Sequence, residues 1–584
     1  LGSSVASCSA SLGTMPTSTI AALFTMAPRC LHSFILVALL AAADASDKKP
    51  NIVFILADDL GFNDVGFHGS DQIPTPHIDE LARTGVTLNN YHVQPVCSPT
   101  RATIMSGRHA IHHGIYMPFQ QGTNLRLNIS YTLLPQYLQR LGYATHMVGK
   151  WHLGQNELRA LPTGRGFDSF FGYWSGAEDY YAHTCRGAYD FADGTRTAPE
   201  MNGTYSTHAF AARAVDIILG ADLSRPFFLY LALQSVHWPL EAPAEYVARF
   251  AKSTGGDHRR QMICAMAAVM DDAVGNVTAA LRTRGIYDDT LIVFSADNGG
   301  PTNGNEGTFS SNYPMRGGKN TLWEGGTRAT AAIRGPGIST DLVGTTSYAM
   351  LHATDWLPTL VRVASGDVGW LEKNMPAGEA PFLLGDGLDV WDALSAGREV
   401  RTELLYECHP RGAYGEHLAH GNALAIGDWK ILHTGPINPP DEQGWVKPPG
   451  QRDGLVYELP CDVTQEPATL DFNCWEAFCL FNITADPCEY HNLASEYPEV
   501  VTRLRTRLED YQKTAVPPIT EDCCGCAPII NSAGAWRPCD APEEEEEVAS
   551  SLVDADLAGL TSFFFQGPGL RQSVQAALAR WPLG

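Results

Sequence analysis

A chain of 584 residues, 44% hydrophobic and 10% aromatic, carries enough apolar side chain for one large α/β domain and a smaller one. Acids outnumber bases 64 to 40, a formal charge of -24, which excludes nucleic acid as a partner because phosphate binding needs a basic footprint. An anionic substrate would meet long-range repulsion, so a site for one must supply its own local positive charge.

The first segment reads as a leader over residues 1–45, with Met26 as the expected start. Arg29 precedes the apolar run from Phe34 to Ala42, and Ala43-Asp44-Ala45 gives an A-x-A cleavage site before Ser46. The run is short for a membrane anchor, and no other stretch reads as long and apolar enough to span a bilayer, so no membrane span is expected in the mature chain. Sequons at Asn128, Asn202, Asn276 and Asn482 fit export through the secretory pathway, with an extracellular, cell-wall, lysosomal or vacuolar destination.

Next come three nearly continuous apolar runs, Asn51 to Leu56, Pro226 to Leu233 and Thr290 to Ser295, which read as strands buried on both faces. Helical patterns over 132–141, 209–219 and 261–284 lie between them. The alternation predicts an α/β catalytic domain over 46–400, a sheet flanked by helices. From about residue 400 the segments shorten and prolines accumulate. Eight of the 14 cysteines fall there: Cys461, Cys474, Cys479, Cys488, Cys523, Cys524, Cys526 and Cys539. That density predicts a smaller, disulfide-stapled α+β domain over 401–530, with a strand at 478–484 and an amphipathic helix at 497–511. Cys264, in an apolar stretch, reads as a buried free thiol; with Cys97 and the leader's Cys8 and Cys30 also set aside, the other ten cysteines could all pair. Residues 531–584, with glutamates from Glu543 to Glu547, read as a flexible acidic tail to which no function is assigned.

Polar groups of metal-ligand type follow two of the strands at once, as Asp58-Asp59 and as Asp297-Asn298. In open α/β sheets, sites form beyond the carboxyl ends of strands. Three carboxylates and an amide are hard oxygen donors that suit Ca²⁺ or Mg²⁺. Either pair alone is an ordinary turn; two acidic pairs at two strand ends favour a metal. Cys97 stands two residues before Pro99, with 100–107 helical. Negative charge at residue 97 would therefore sit at a helix N-terminus, and Arg101 could turn back toward it. If 142–154 is extended, Lys150 and His152 share one face and Trp151 takes the other. His237 follows the buried run Pro226 to Leu233, and Lys319 lies in the glycine-rich loop Arg316-Gly317-Gly318-Lys319. Taken singly, each of these is more simply a surface lysine or a satisfied core histidine.

The ordered set ADDLGFNDVGFHG, CSPTR, GYATHMVGKWHLG, QSVHWPL, SADNGG and RGGKNTLWEGG resembles the sulfatase family over roughly residues 48 to 518. GFDSFFGYWSGAEDYY and HATDWLPTL resemble its arylsulfatase B group. The resemblance implies an alkaline-phosphatase-like core with a large mixed sheet, a smaller C-terminal domain and one bound Ca²⁺. It also implies conversion of Cys97, in C-x-P-x-R, to formylglycine by the formylglycine-generating enzyme during export. Asp58, Asp59, Asp297, Asn298 and the hydrate formed from Cys97 are then the implied calcium ligands. Arg101 and Lys150 would orient the hydrate, and His237 and Lys319 would grip the sulfate. His152 would be the base that expels it, and Asp297 would share in protonating the leaving alcohol. The implied substrate is a sulfate monoester of a sulfated carbohydrate or an aryl sulfate, with specificity expected from rim loops at 117–128 and 177–197. Thr100 and Ser106 depart from the serine and threonine common in this motif, though each keeps a hydroxyl. Two rivals stay open: a phosphate or phosphonate ester hydrolase using a similar metal site, and an unmodified, inactive secreted binding protein.

Overall fold

The computed structural model describes residues 48–302, 306, 308–376, 378–379, 385–409, 421–434, 445–452, 459, 461, 474–520 and 524–542. The leader, Cys523 and the glutamate run Glu543 to Glu547 lie outside the described residues.

A ten-stranded mixed sheet forms the centre of the large domain. Its middle is parallel: Asn51–Ala57 lies between Thr290–Ala296 and Phe227–Ala232, and Ala144–Lys150 and Ser169–Tyr173 extend it on the second side. Every residue of the Asn51–Ala57, Phe227–Ala232 and Thr290–Ala296 strands is buried, as continuous apolar runs require when helices cover both faces. Ala331–Arg334 and Ala192–Asp193 add antiparallel neighbours on either side, which makes the sheet mixed. Helices Ser206–Leu219 and His258–Arg284 pack on each other, and Leu134–Arg140 matches the remaining helical pattern. One expectation needs correction. The His258–Arg284 helix is long and apolar enough to cross a membrane, but 83% of its apolar window is buried within the fold, which makes it a core helix.

A second, four-stranded antiparallel sheet, ordered Glu403–Glu407, Gly421–Ile426, Trp429–Thr434 and Cys479–Asn482, forms the smaller C-terminal domain. Its strands alternate as a sheet covered on both faces must. Leu405, Leu424, Ile431 and Leu480 meet Val500, Leu504 and Leu508 of the helix Pro498–Thr514. Leu404, Tyr406, Leu432 and Phe481 face Leu322 and Trp323 of the large domain. The helix spacing of four residues puts its three apolar side chains on one stripe, each contributing about 1.5–3 kcal/mol of burial.

Disulfides join Cys461 to Cys488, Cys474 to Cys479 and Cys526 to Cys539. Cys264 is free and buried, as expected, but Cys185 and Cys408 are free too, so the ten remaining cysteines do not all pair. Cys408 is buried in the apolar cluster beneath the Pro498–Thr514 helix, and Cys185 instead donates to Gln121 Oε1.

Candidate active site

The parallel register decides what meets at the top of the sheet. Ala57 pairs with Ala296, so Asp58-Asp59 and Asp297-Asn298 leave adjacent strand ends side by side. Asp297 N donates to Ala57 O at 3.0 Å, and Asp59 N donates to Asp297 Oδ1 at 3.2 Å. The backbone can press this closely because Gly299 has no side chain; a Cβ there would stand 1.8 Å from Gly325 O. Lys150 is the last residue of its strand, and its Nζ reaches Asp58 Oδ2 at 2.6 Å.

Cys97 opens the helix Cys97–Ser106, all ten residues of which are buried. The unpaired N–H groups of its first turn favour negative charge at residue 97. Burial pushes the Cys97 thiol up to about 11, with Lys150 and Lys319 opposing, so in the folded chain it is protonated and a poor nucleophile. Arg101, one turn on, sends Nε and Nη2 to Asp297 Oδ2 at 3.0 and 2.8 Å, and its Nη2 lies 3.6 Å from Asp58 Oδ2. The two departures in the motif are absorbed locally. Thr100 Oγ1 accepts from Gln94 N, and Ser106 Oγ donates to Ala102 O.

Lys319 Nζ reaches Asp59 Oδ2 at 2.8 Å and Glu306 Oε2 at 2.7 Å. Burial favours its neutral form, but Asp59 and Glu306 outweigh that and hold it charged. Asp59 responds in kind: burial raises its carboxyl, yet Lys319 and His237 hold it at about 2. Asp297 goes the other way, pushed up to about 6 by burial with Asp58 adding to the effect. His237 Nε2 stands 3.8 Å from Asp59 Oδ2 while its Nδ1 donates to Trp238 O, and burial beside Lys319 lowers it to about 4.

His152 stands apart from this contact network. The strand stops at Lys150, and His152 takes a left-handed φ of 55°, so a turn and not strand alternation sets its direction. Trp151 still packs inward, its Nε1 donating to Gly154 O and Ala160 O. His152 Nε2 lies 3.0 Å from Phe119 O, a carbonyl that can only accept, so the proton is on Nε2. Its Nδ1 is buried without a partner and keeps a free lone pair, and burial with Lys150 nearby keeps the ring neutral.

The residues present fit a divalent cation. Asp58 Oδ1 and Asn298 Oδ1 are buried acceptors with no hydrogen-bond partner, and orphaned oxygens of this kind are what an ion would satisfy. Asp58, Asp59 and His237 each offer an atom within 4.8 Å of the others. Four carboxylates, Asp58, Asp59, Asp297 and Glu306, face three cations, Arg101, Lys150 and Lys319, so a divalent ion would turn a net negative cluster positive. His237 is the softer donor, and oxygen ligands suit calcium better.

Three participants carry no signal in the sequence. Glu306 sits in a polar loop and reaches Lys319 only through the fold. Phe119 acts through its carbonyl, which no side-chain pattern reveals. Asn312 accepts from Gly300 N and Phe62 N and donates to Gly300 O and Gly317 O, tying three loops of the site together.

Comparison with known proteins agrees with this architecture. The family model described as Sulfatase matches residues 50–366. Arylsulfatase J of Mus musculus is 39% identical over 501 residues, spanning 82% of this chain and 78% of that protein. N-acetylgalactosamine-6-sulfatase of Homo sapiens is 28% identical over 519 residues, 81% and 88% of the two chains. The crystal structure of Ps i-CgsB in complex with k-i-k-neocarrahexaose matches with a TM-score of 0.64 and 26% identity, covering 81% of this chain and 94% of that one. With a family match over more than half its length and a site of buried acids and cations at the ends of parallel strands, the chain belongs to the sulfatase family.

Proposed function

We propose that this sulfatase cleaves sulfate monoesters of a sulfated sugar, with residue 97 acting as formylglycine and one Ca²⁺ held by Asp58, Asp59, Asp297, Asn298 and residue 97. The observation that carries the reading is the pair of orphaned buried oxygens, Asp58 Oδ1 and Asn298 Oδ1, in a cluster that also encloses Cys97. A sugar is favoured because a relative is named for N-acetylgalactosamine and a structural neighbour is seen with neocarrahexaose.

When in place, the ion would polarise sulfate oxygens and the formylglycine hydrate would supply the attacking hydroxyl. The remaining work belongs to the chain. Arg101 and Lys150 hold residue 97 in orientation and compensate negative charge on it. His237 and Lys319 bind the sulfate group, Lys319 beside the leaving oxygen. His152, neutral with its lone pair on Nδ1, takes the proton whose removal expels sulfate. Asp297, besides its place among the metal ligands, shares in protonating the departing alcohol. Conversion of Cys97 has to precede folding, because only 2% of the residue is exposed afterwards.

Export through the secretory pathway, where the formylglycine-generating enzyme would act, is supported by three disulfides among the described residues and by exposed sequon asparagines at 128, 202 and 276. The test is mass spectrometry of the peptide containing residue 97 from protein secreted by a eukaryotic host, with assays on matched sulfate and phosphate monoesters. We expect formylglycine, sulfate release from sulfated sugars, loss of activity in EGTA and recovery with Ca²⁺. An unmodified Cys97, from a host that modifies a control sulfatase, would overturn the reading in favour of a binding protein; faster phosphate release would favour the phosphohydrolase.

A further inference from the structure

We propose that the indole of Trp238 is a specificity determinant of this site, a stacking platform for the uncharged face of the sugar ring that carries the sulfate. The inference rests on the sugar-sulfatase reading above and adds the residue that would recognise the sugar.

Trp238 is 52% exposed, the most exposed tryptophan among the described residues; Trp151, Trp323 and Trp356 are at most 2% exposed. A single exposed apolar residue is ordinary on a protein surface. What separates this one is where its backbone is held. Its carbonyl accepts from His237 Nδ1 at 2.6 Å, so the residue is locked to the ring whose Nε2 faces Asp59.

The segment is also rigid. Asp58 N donates to Ser235 O at 3.0 Å, and His237 N to Gln234 O at 2.9 Å. Tyr180 Oη lies 3.0 Å from both Gln234 O and His237 O and donates between them, and the Ser235 and Thr207 hydroxyls meet at 2.7 Å. An indole on such a support is presented without the entropy cost of ordering a mobile loop on binding. Among the described residues its N–H makes no hydrogen bond, and on a half-exposed ring it can donate to a ligand.

A sugar supplies both things the indole lacks. Its C–H face is apolar and would cover the ring, and a hydroxyl at its edge would accept from Nε1. With sulfate held at His237 and Lys319, a ring lying on Trp238 is fixed at two points. A residue carrying charge on that face would lose the stacking contact.

The test compares wild type with Trp238→Ala and Trp238→Phe on a monosulfated N-acetylhexosamine disaccharide, and measures competitive inhibition by inorganic sulfate, which has no ring to stack. We expect Trp238→Ala to raise KM about fivefold to tenfold with kcat within twofold, Trp238→Phe to recover most of the loss, and the Ki of sulfate to stay unchanged. An unchanged KM would overturn the proposal. A sulfate Ki that rises in step with KM would do the same, because it would mean that the variant had displaced His237. A wild-type enzyme active on 4-nitrophenyl sulfate but on no sulfated sugar would instead remove the sugar reading on which the proposal stands.

Discussion

At the scale of single residues the decisive position is Cys97. Its neighbours form a cage whose cations are already engaged: Lys150 with Asp58, Arg101 with Asp297, Lys319 with Asp59. A hydroxyl placed at residue 97 would meet the same surroundings but would remain a single hydroxyl. It can attack sulfur once, and no second hydroxyl on the same carbon is available to expel the product. Cys97→Ser should therefore either accumulate a sulfate ester on residue 97, seen as an added sulfate mass on that peptide, or turn over at least 10³-fold more slowly than wild type, roughly the loss expected when a nucleophile is disabled. Normal multiple turnover by this variant would rule out the diol chemistry. Cys97 and the acids are legible in the sequence because strand ends and motif spacing point to them. Glu306 is not, because nothing local links a loop carboxylate to a lysine 13 residues away. His152 is legible as a residue type but not as a geometry, since its left-handed φ interrupts the alternation that extended chain would impose.

Between elements, the small sheet and the large domain share a buried ionic network. Lys430, on the strand Trp429–Thr434, lies between Glu324 of the large domain at 2.9 Å and Glu489 at 2.8 Å, all with no side-chain exposure. His92 and Tyr406 also bond Glu324, and Glu324 N donates to a Glu489 oxygen. Lys430 serves both carboxylates while Arg328 Nη1 pairs with Glu324 at 3.2 Å, and burial pushes Glu489 up to about 7 despite Lys430, with Glu324 adding to the rise. A carboxyl whose folded value lies above its unfolded value, near 4.5, binds its proton more tightly when folded. Its contribution is fully present below about pH 4.5 and is lost as pH rises through 7. Glu489→Gln, which mimics the protonated form, should thus gain stability relative to wild type between pH 5 and pH 8, on the order of 2 kcal/mol, in urea unfolding at the two pH values. A stability difference between the two proteins that does not change with pH would show that Glu489 is ionised throughout. None of this network is legible in the sequence. Its members are scattered over nearly 400 residues, and each alone reads as a surface charge.

For the whole molecule, the sequence and the fold agree best where burial is two-sided. The three continuous apolar runs became the centre of the sheet, and the site lies at their carboxyl ends. The pairing of Cys185 and Cys408 failed because disulfide partners depend on proximity in space, which cysteine count does not contain. Net charge, by contrast, is visible from composition alone and has a kinetic consequence. On the proposed function, a chain of formal charge -24 would repel a polysulfated substrate at a distance, while the buried cations Arg101, Lys150 and Lys319 would attract sulfate only at contact. These two terms respond differently to salt. The screening length falls from about 30 Å at 0.01 M to about 10 Å at 0.1 M, which removes the far-field repulsion, whereas buried pairs are screened much less. Raising ionic strength from 0.01 to 0.15 M should therefore increase kcat/KM severalfold for a polysulfated oligosaccharide, with most of the change in KM. It should have a smaller effect on a small monoanionic aryl sulfate, which carries fewer charges through the field. A kcat/KM for the polysulfated substrate that falls over this range would mean that the rim is locally positive, and steering by basic rim residues would then replace repulsion as the account of how substrate arrives.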